Sequence, residues 1–89
     1  MPTIIVRHTV KDFDAWKPYY DEHATSRERY GIHDGGLYRE AEEPRNVVMV
    51  FQTDDIDRAQ EFFASEELRE TMQKAGVVSE PSVWILNAA

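Results

Sequence analysis

The stretch Asp12–Tyr30, DFDAWKPYYDEHATSRERY, decides how the rest of the chain is read. Coiled as a single helix, it puts Phe13, Trp16, Tyr20, His23 or Ala24, Arg27 and Tyr30 at three- and four-residue steps along one broad face. That face starts aromatic and turns ionisable. A stripe built only for packing would continue in Leu, Ile or Val, whereas this one passes into His23 and Arg27 where it should still be buried. The break points to a pocket. Asp12 or Asp14 can cap the start, where negative charge suits the positive helix end, and Gly31 ends the helix. Pro18 predicts a kink or an irregular first turn, because it removes one hydrogen bond and clashes with the carbonyl four residues back.

Outward from the helix, the flanks read as strands. Thr3 to Val10, TIIVRHTV, is β-branched, with Ile4, Val6, His8 and Val10 on one face and Ile5, Arg7 and Thr9 on the other. Asp34-Gly35-Gly36 reads as a turn into a second strand, Leu37 to Ala41. Glu42 to Asn46 forms a hairpin loop, and Val47 to Gln52 is a third strand, apolar on both faces. Asp54 and Asp55 open a second helix with Ile56, Ala59, Phe62 and Phe63 facing inward. Ser65 caps a further helical run, Glu66 to Ala75, continuous with it or offset, with Leu68 and Met72 buried and Gly76 as the stop. Pro81 precedes a last strand, Ser82 to Asn87.

Strand, helix, strand, strand, helix, strand is the ferredoxin-like βαββαβ order, an α+β fold with a four-stranded antiparallel sheet and its helices on one side. One domain, residues 1–89, accounts for the chain. Two helices cover one sheet face, yet Ile5, Val48, Val50, Val83 and Ile85 would put apolar groups on the other. Monomers rarely expose so large a patch, so a homodimer with the two sheets face to face is expected.

Composition removes other classes. Seventeen acidic residues against ten basic give a net charge of -7, which repels phosphate backbones and anionic lipid, so neither nucleic acid nor membrane is an expected partner. The chain has no cysteine, which excludes disulfides, thiolate catalysis and thiolate metal sites. With neither a signal-like segment nor an apolar run of spanning length, a cytoplasmic location is the default expectation.

The opening VRHTVKDFDAWKPYYDEHATSR, the hairpin GGLYREAEEPRNVVMVF and the run FFASEELRETMQKAGV before a strand containing Trp84 resemble the dimeric α+β barrel proteins related to antibiotic biosynthesis monooxygenases. The resemblance covers nearly the whole chain. It implies a dimeric α+β barrel with any active site between the helices and the sheet of each subunit. Members include cofactor-independent quinone-forming monooxygenases, haem-degrading enzymes, isomerases and proteins without known activity. The helical His, Asn and Trp set of the haem-degrading members is not matched here. Trp16, Tyr20, Arg27 and Trp84 are similar in type to side chains used by members acting on polycyclic phenols.

The candidate catalytic residues are therefore His23 as proton acceptor and Arg27 as the stabiliser of an enolate or phenolate, one helical turn apart. Trp16, Tyr20, His8 and Trp84 are the candidate substrate-binding residues. Each has a plainer reading. His23 could be a hydrogen-bonded structural histidine, Arg27 an ion pair with Glu22 or Asp34, His8 a core-facing residue, and the aromatics ordinary core. His33 reads as exposed, and the histidines lack metal-ligand spacing, so no metal and no cofactor is expected. The functions that remain are an oxidoreductase of cofactor-independent monooxygenase type, or a cyclase- or isomerase-like enzyme, acting on a small aromatic or polyketide-like substrate; a non-catalytic small-molecule-binding protein; and a structural homodimer.

Overall fold

β1 (Thr3–Thr9) alternates buried and half-buried residues along its length and occupies an inner position in the sheet. In the computed structural model, which describes Met1–Ala89, it is followed by α1 (Phe13–Glu22), α2 (Ala24–Arg29), β2 (Ile32–Arg39), β3 (Asn46–Thr53), α3 (Ile56–Phe63), α4 (Glu66–Ala75) and β4 (Ser82–Leu86). The four strands run β2-β3-β1-β4, and every neighbouring pair is antiparallel. This is the ferredoxin-like arrangement expected from the order of elements.

Strand ends differ from expectation by one or two residues, with β2 ending at Arg39 rather than Ala41, and two segments differ in kind. The segment Asp12–Tyr30 is two helices rather than one, divided at His23, while Pro18 lies inside α1. The division is held by a side chain: Arg27 Nη1 donates to the Tyr20 carbonyl at 2.9 Å, satisfying an acceptor in the last turn of α1. Asp34-Gly35-Gly36 is not a turn but part of β2, which starts at Ile32. The register shifts between Asp34 and Gly36, so a bulge absorbs the extra residue and the strand continues along β3. Asp12 precedes α1 but its side chain makes no capping hydrogen bond, whereas Asp55 and Ser65 cap α3 and α4 as expected. Ser65 Oγ accepts from the Leu68 amide at 3.2 Å, separating α4 from α3. Gly31 and Gly76 have φ of 72° and 85°, left-handed values that suit glycine at helix ends.

Strand pairing assigns the faces. Ile4 lies opposite Phe51 and Ile85, and Val6 opposite Met49 and Val83, so these residues share the helix-covered face with His8 and Val47. The buried core, including Ile4, Val6, Trp16, Phe51, Ala59 and Phe62, lies between that face and the helices. Val83 and Ile85 therefore belong to the inner face, contrary to expectation. Trp84, opposite Ile5, belongs to the outer one. There it is 47% exposed beside Leu86, while Ile5, Val48 and Val50 are half-buried and Tyr38 is exposed. The slip is one residue in β4, which in a strand reverses every side chain. Polar groups border this outer surface: Arg7 Nε donates to Glu40 at 2.9 Å, and Asn46 Nδ2 donates to the same carboxylate at 2.6 Å. No helix is long and apolar enough to cross a membrane.

Candidate functional site

The space between the helices and the sheet is not completely filled. A mostly apolar cavity of about 90 Å³ remains, floored by Val6, His8, Met49 and Phe51 of the sheet. Trp16, Tyr20, His23 and Arg27 close one side, and Phe62, Leu68 and Met72 the other. Leu68 and Met72, expected to be buried, are instead half-buried along this wall. At Pro81 and Val83 the cavity adjoins a wider groove of about 630 Å³ beneath Val78 and Ser79, the two sharing Phe63, Met72, Pro81 and Val83. The volume is below the roughly 150 Å³ of a dry apolar cavity that holds benzene. A ring-sized guest requires an adjustment, for which the flexible Met72 is suited.

His8 is the polar group on the cavity floor. The alternation of β1 turns it inward, where it is 4% exposed, and neither ring nitrogen has a hydrogen-bond partner. The Trp16 ring stands nearly perpendicular to it, with centroids 5.5 Å apart and an interplanar angle of 88°. Burial pushes the imidazole pKa down from 6.5 to about 4, so the ring is neutral at pH 7. A neutral imidazole has one N–H and one lone pair, and here both are unused. Leaving such a group unsatisfied costs about 1–3 kcal/mol, a cost that a guest with a hydroxyl would relieve.

Arg27 is also buried, and three of its five N–H donors are engaged. Its Nε and Nη2 donate to Asp34 Oδ1 and Oδ2 at 3.0 and 3.2 Å, while Nη1 holds the Tyr20 carbonyl. The guanidinium carbon lies 4.0 Å from the Tyr20 ring centroid and 5.7 Å from that of Phe51. Arg27 thus shows the cavity a stacked flank rather than a free charge. Asp34 can reach it because the β2 bulge keeps this carboxylate on the inner face, opposite Phe51.

His23 occupies the junction of α1 and α2, its side chain 14% exposed. Its Nε2 is 3.6 Å from Glu67 Oε1 on α4, and its ring is 5.7 Å from that of Phe62. Trp16 and Tyr20 stack at 5.1 Å, continuing an aromatic series from Phe13. Burial pushes the Tyr20 hydroxyl up from its usual value.

The structure brings together His8, Trp16, Tyr20, His23 and Arg27 from the sequence-derived set. Trp84 is not among them, because it faces away from the helices; Val83, its neighbour, lines the cavity instead. Of the readings for Arg27, the Asp34 ion pair is the one realised. Met49 and Phe51 were singled out by no motif, although the alternation of VVMVFQ contains their inward positions. His33 is exposed as expected, but on a strand, with Nε2 3.0 Å from Asp54. No three His, Asp or Glu side chains gather closely enough to hold a metal ion.

No family model matches the sequence, and no curated protein matches it either. Solved structures do match over the full length. An antibiotic biosynthesis monooxygenase superposes with a TM-score of 0.72 at 17% identity, covering 100% of this chain and 99% of its own. SnoaB, a cofactor-independent oxygenase from Streptomyces nogalater, gives 0.71 at 18% identity, with 99% and 94% covered. A conserved protein from Methanosarcina mazei Go1 gives 0.75 at 16% identity, with 99% and 92% covered. At these identities the likeness is one of fold, and the fold is that of antibiotic biosynthesis monooxygenase-like structures.

Proposed function

We propose that the cavity binds a small hydroxylated aromatic or enolic compound and that the protein is an enzyme of the cofactor-independent monooxygenase type. The observation that carries this reading is His8, a buried imidazole with two unpartnered nitrogens at the floor of an aromatic-walled cavity. A fold shared with a cofactor-independent oxygenase supports the reaction type by analogy. Three arrangements were open: enzyme, binding module and ligand-free structural dimer. A cavity bounded by Trp16, His23, Arg27 and the sheet supports the first two over the third.

In the reaction as proposed, a phenolic hydroxyl donates a hydrogen bond to the lone pair of His8, and its proton passes to that nitrogen as the ring gives one electron to dioxygen. Trp16 and Tyr20 hold the ring, and the imidazolium formed at His8 faces the reduced dioxygen as its counter-ion. A C–O bond then forms at the carbon para to the phenolic oxygen. His8 returns its proton to the resulting peroxide. Loss of the para C–H proton with cleavage of the O–O bond then expels water and leaves a quinone. One atom of dioxygen ends in the new carbonyl and the other in water, so hydroxyarene and dioxygen balance quinone and water.

A binding module using the same cavity is the second reading. It is favoured by the commitment of Arg27 to Asp34, which removes the cation assigned to anion stabilisation. Oxygen uptake separates the two. With a panel of single-ring phenols and naphthols in air, the enzyme reading expects dioxygen consumption matched one-to-one by quinone and abolished in His8→Leu. Binding of the panel without uptake would leave the module.

The outer sheet face carries a second proposal from the same chain: it pairs with another copy. Ile5, Val48, Val50, Trp84 and Leu86 form one apolar surface that no helix covers. Burial on the order of 1,600 Å² would give a stable homodimer.

A further inference from the structure

We propose that the cavity takes its ligand as the neutral acid, a phenol or enol with its proton in place, and rejects carboxylates and phosphates of the same size. This rests on the reading of the cavity as a small-molecule site and adds the charge state of what enters it. Arg27 is the lining residue with a fixed positive charge, and three of its donors are already spent, two on Asp34 and one on the Tyr20 carbonyl. What it offers the cavity is an arginine whose charge a carboxylate has already matched. The two imidazoles do not replace it. His8 is enclosed by apolar and aromatic walls, where a neutral ring is favoured, and His23 faces Glu67. The remaining titratable wall groups, Tyr19 and Tyr20, are phenols.

An incoming carboxylate would lose its hydration to a mostly apolar wall and find no uncompensated cation. A phenol loses much less on desolvation, and its hydroxyl can donate to His8. Selectivity thus lies in Asp34, which sits behind Arg27 and does not line the cavity. Its side chain is 49% exposed, so it can be altered without opening the core.

The test uses phenol and benzamide, neutral at pH 7, and benzoate, an anion, each with one ring, titrated into the full chain. Binding is followed by the fluorescence of Trp16 in a Trp84→Phe background. The expected result is that phenol and benzamide bind at least about tenfold more tightly than benzoate. In Asp34→Asn, which leaves the Arg27 charge unmatched, benzoate should gain about tenfold or more. The dispersion of its amide NMR spectrum reports whether that variant is folded; if it is not, the wild-type ranking alone decides. Benzoate binding as tightly as phenol in the wild type overturns the charge rule while leaving the cavity as a ligand site. Failure of all three probes to bind overturns both.

Discussion

Arg27 grips Asp34 with two parallel hydrogen bonds, and the same guanidinium holds the Tyr20 carbonyl where α1 gives way to α2. One side chain therefore joins both short helices to the second strand. If Arg27 served only a ligand, its removal would cost little stability. With the contacts it makes, Arg27→Ala should cost about 2–3 kcal/mol, below the usual value for breaking a fully buried pair because Asp34 is half exposed. Arg27→Lys should recover less than half of this, since an ammonium cannot reproduce the paired geometry. Urea denaturation of both variants checks it; a cost below about 0.5 kcal/mol for Arg27→Ala would contradict the assigned role.

His8 makes stability depend on pH with a defined sign. Its pKa is about 4 in the folded protein and 6.5 as the ordinary value, so between these limits the unfolded chain binds the extra proton. The contribution is fully present above pH 6.5 and is lost as pH falls toward 4. By pH 5 the wild type should have lost about 2 kcal/mol more than His8→Leu, whose leucine does not titrate. Denaturation of the two proteins at pH 7.5 and pH 5 measures the difference, with the carboxylates common to both cancelling. Equal losses would place His8 in contact with water or a partner.

The outer face predicts association. Sedimentation at micromolar concentration should give a two-chain mass, and Val50→Asp should weaken pairing and lower thermal stability with it, because folding and assembly are coupled in so short a chain. A wild-type monomer would remove the sheet-to-sheet arrangement.

Trp84 and Trp16 separate the two faces of the sheet. Trp84→Phe should leave phenol binding within about twofold, whereas Trp16→Ala should weaken it about tenfold or more. Calorimetric titration of each variant gives the comparison. The reverse order would restore Trp84 to the site.

The order of elements, the helix-ending Gly31 and Gly76 and the Ser65 cap were legible because each rests on local chemistry: a periodicity, a left-handed residue, a hydroxyl near a free amide. The single long helix was misread because its division depends on Arg27 reaching back to Tyr20, a tertiary contact with no local signature. Asp34-Gly35-Gly36 has the composition of a turn, yet pairing with Phe51 and Val50 draws it into β2. In β4, SVWILN is apolar at alternate positions on both faces, so nothing local says which face is inward, and Trp84 was assigned to the wrong side. The pocket itself was visible in the break of the aromatic stripe. That His8 rather than Arg27 would be its unpartnered group was not, because hydrogen-bond satisfaction depends on what lies across the cavity.

The most direct test follows the His8 ring itself. Nitrogen NMR of the ring-labelled protein at pH 7, with His8 assigned by its loss in His8→Leu, reports each imidazole nitrogen during titration with phenol. The role given to His8 requires a neutral ring in the free protein and a saturable shift of its acceptor nitrogen as phenol binds, with His33 unaffected. Saturable phenol binding that leaves both His8 nitrogens unmoved would contradict it.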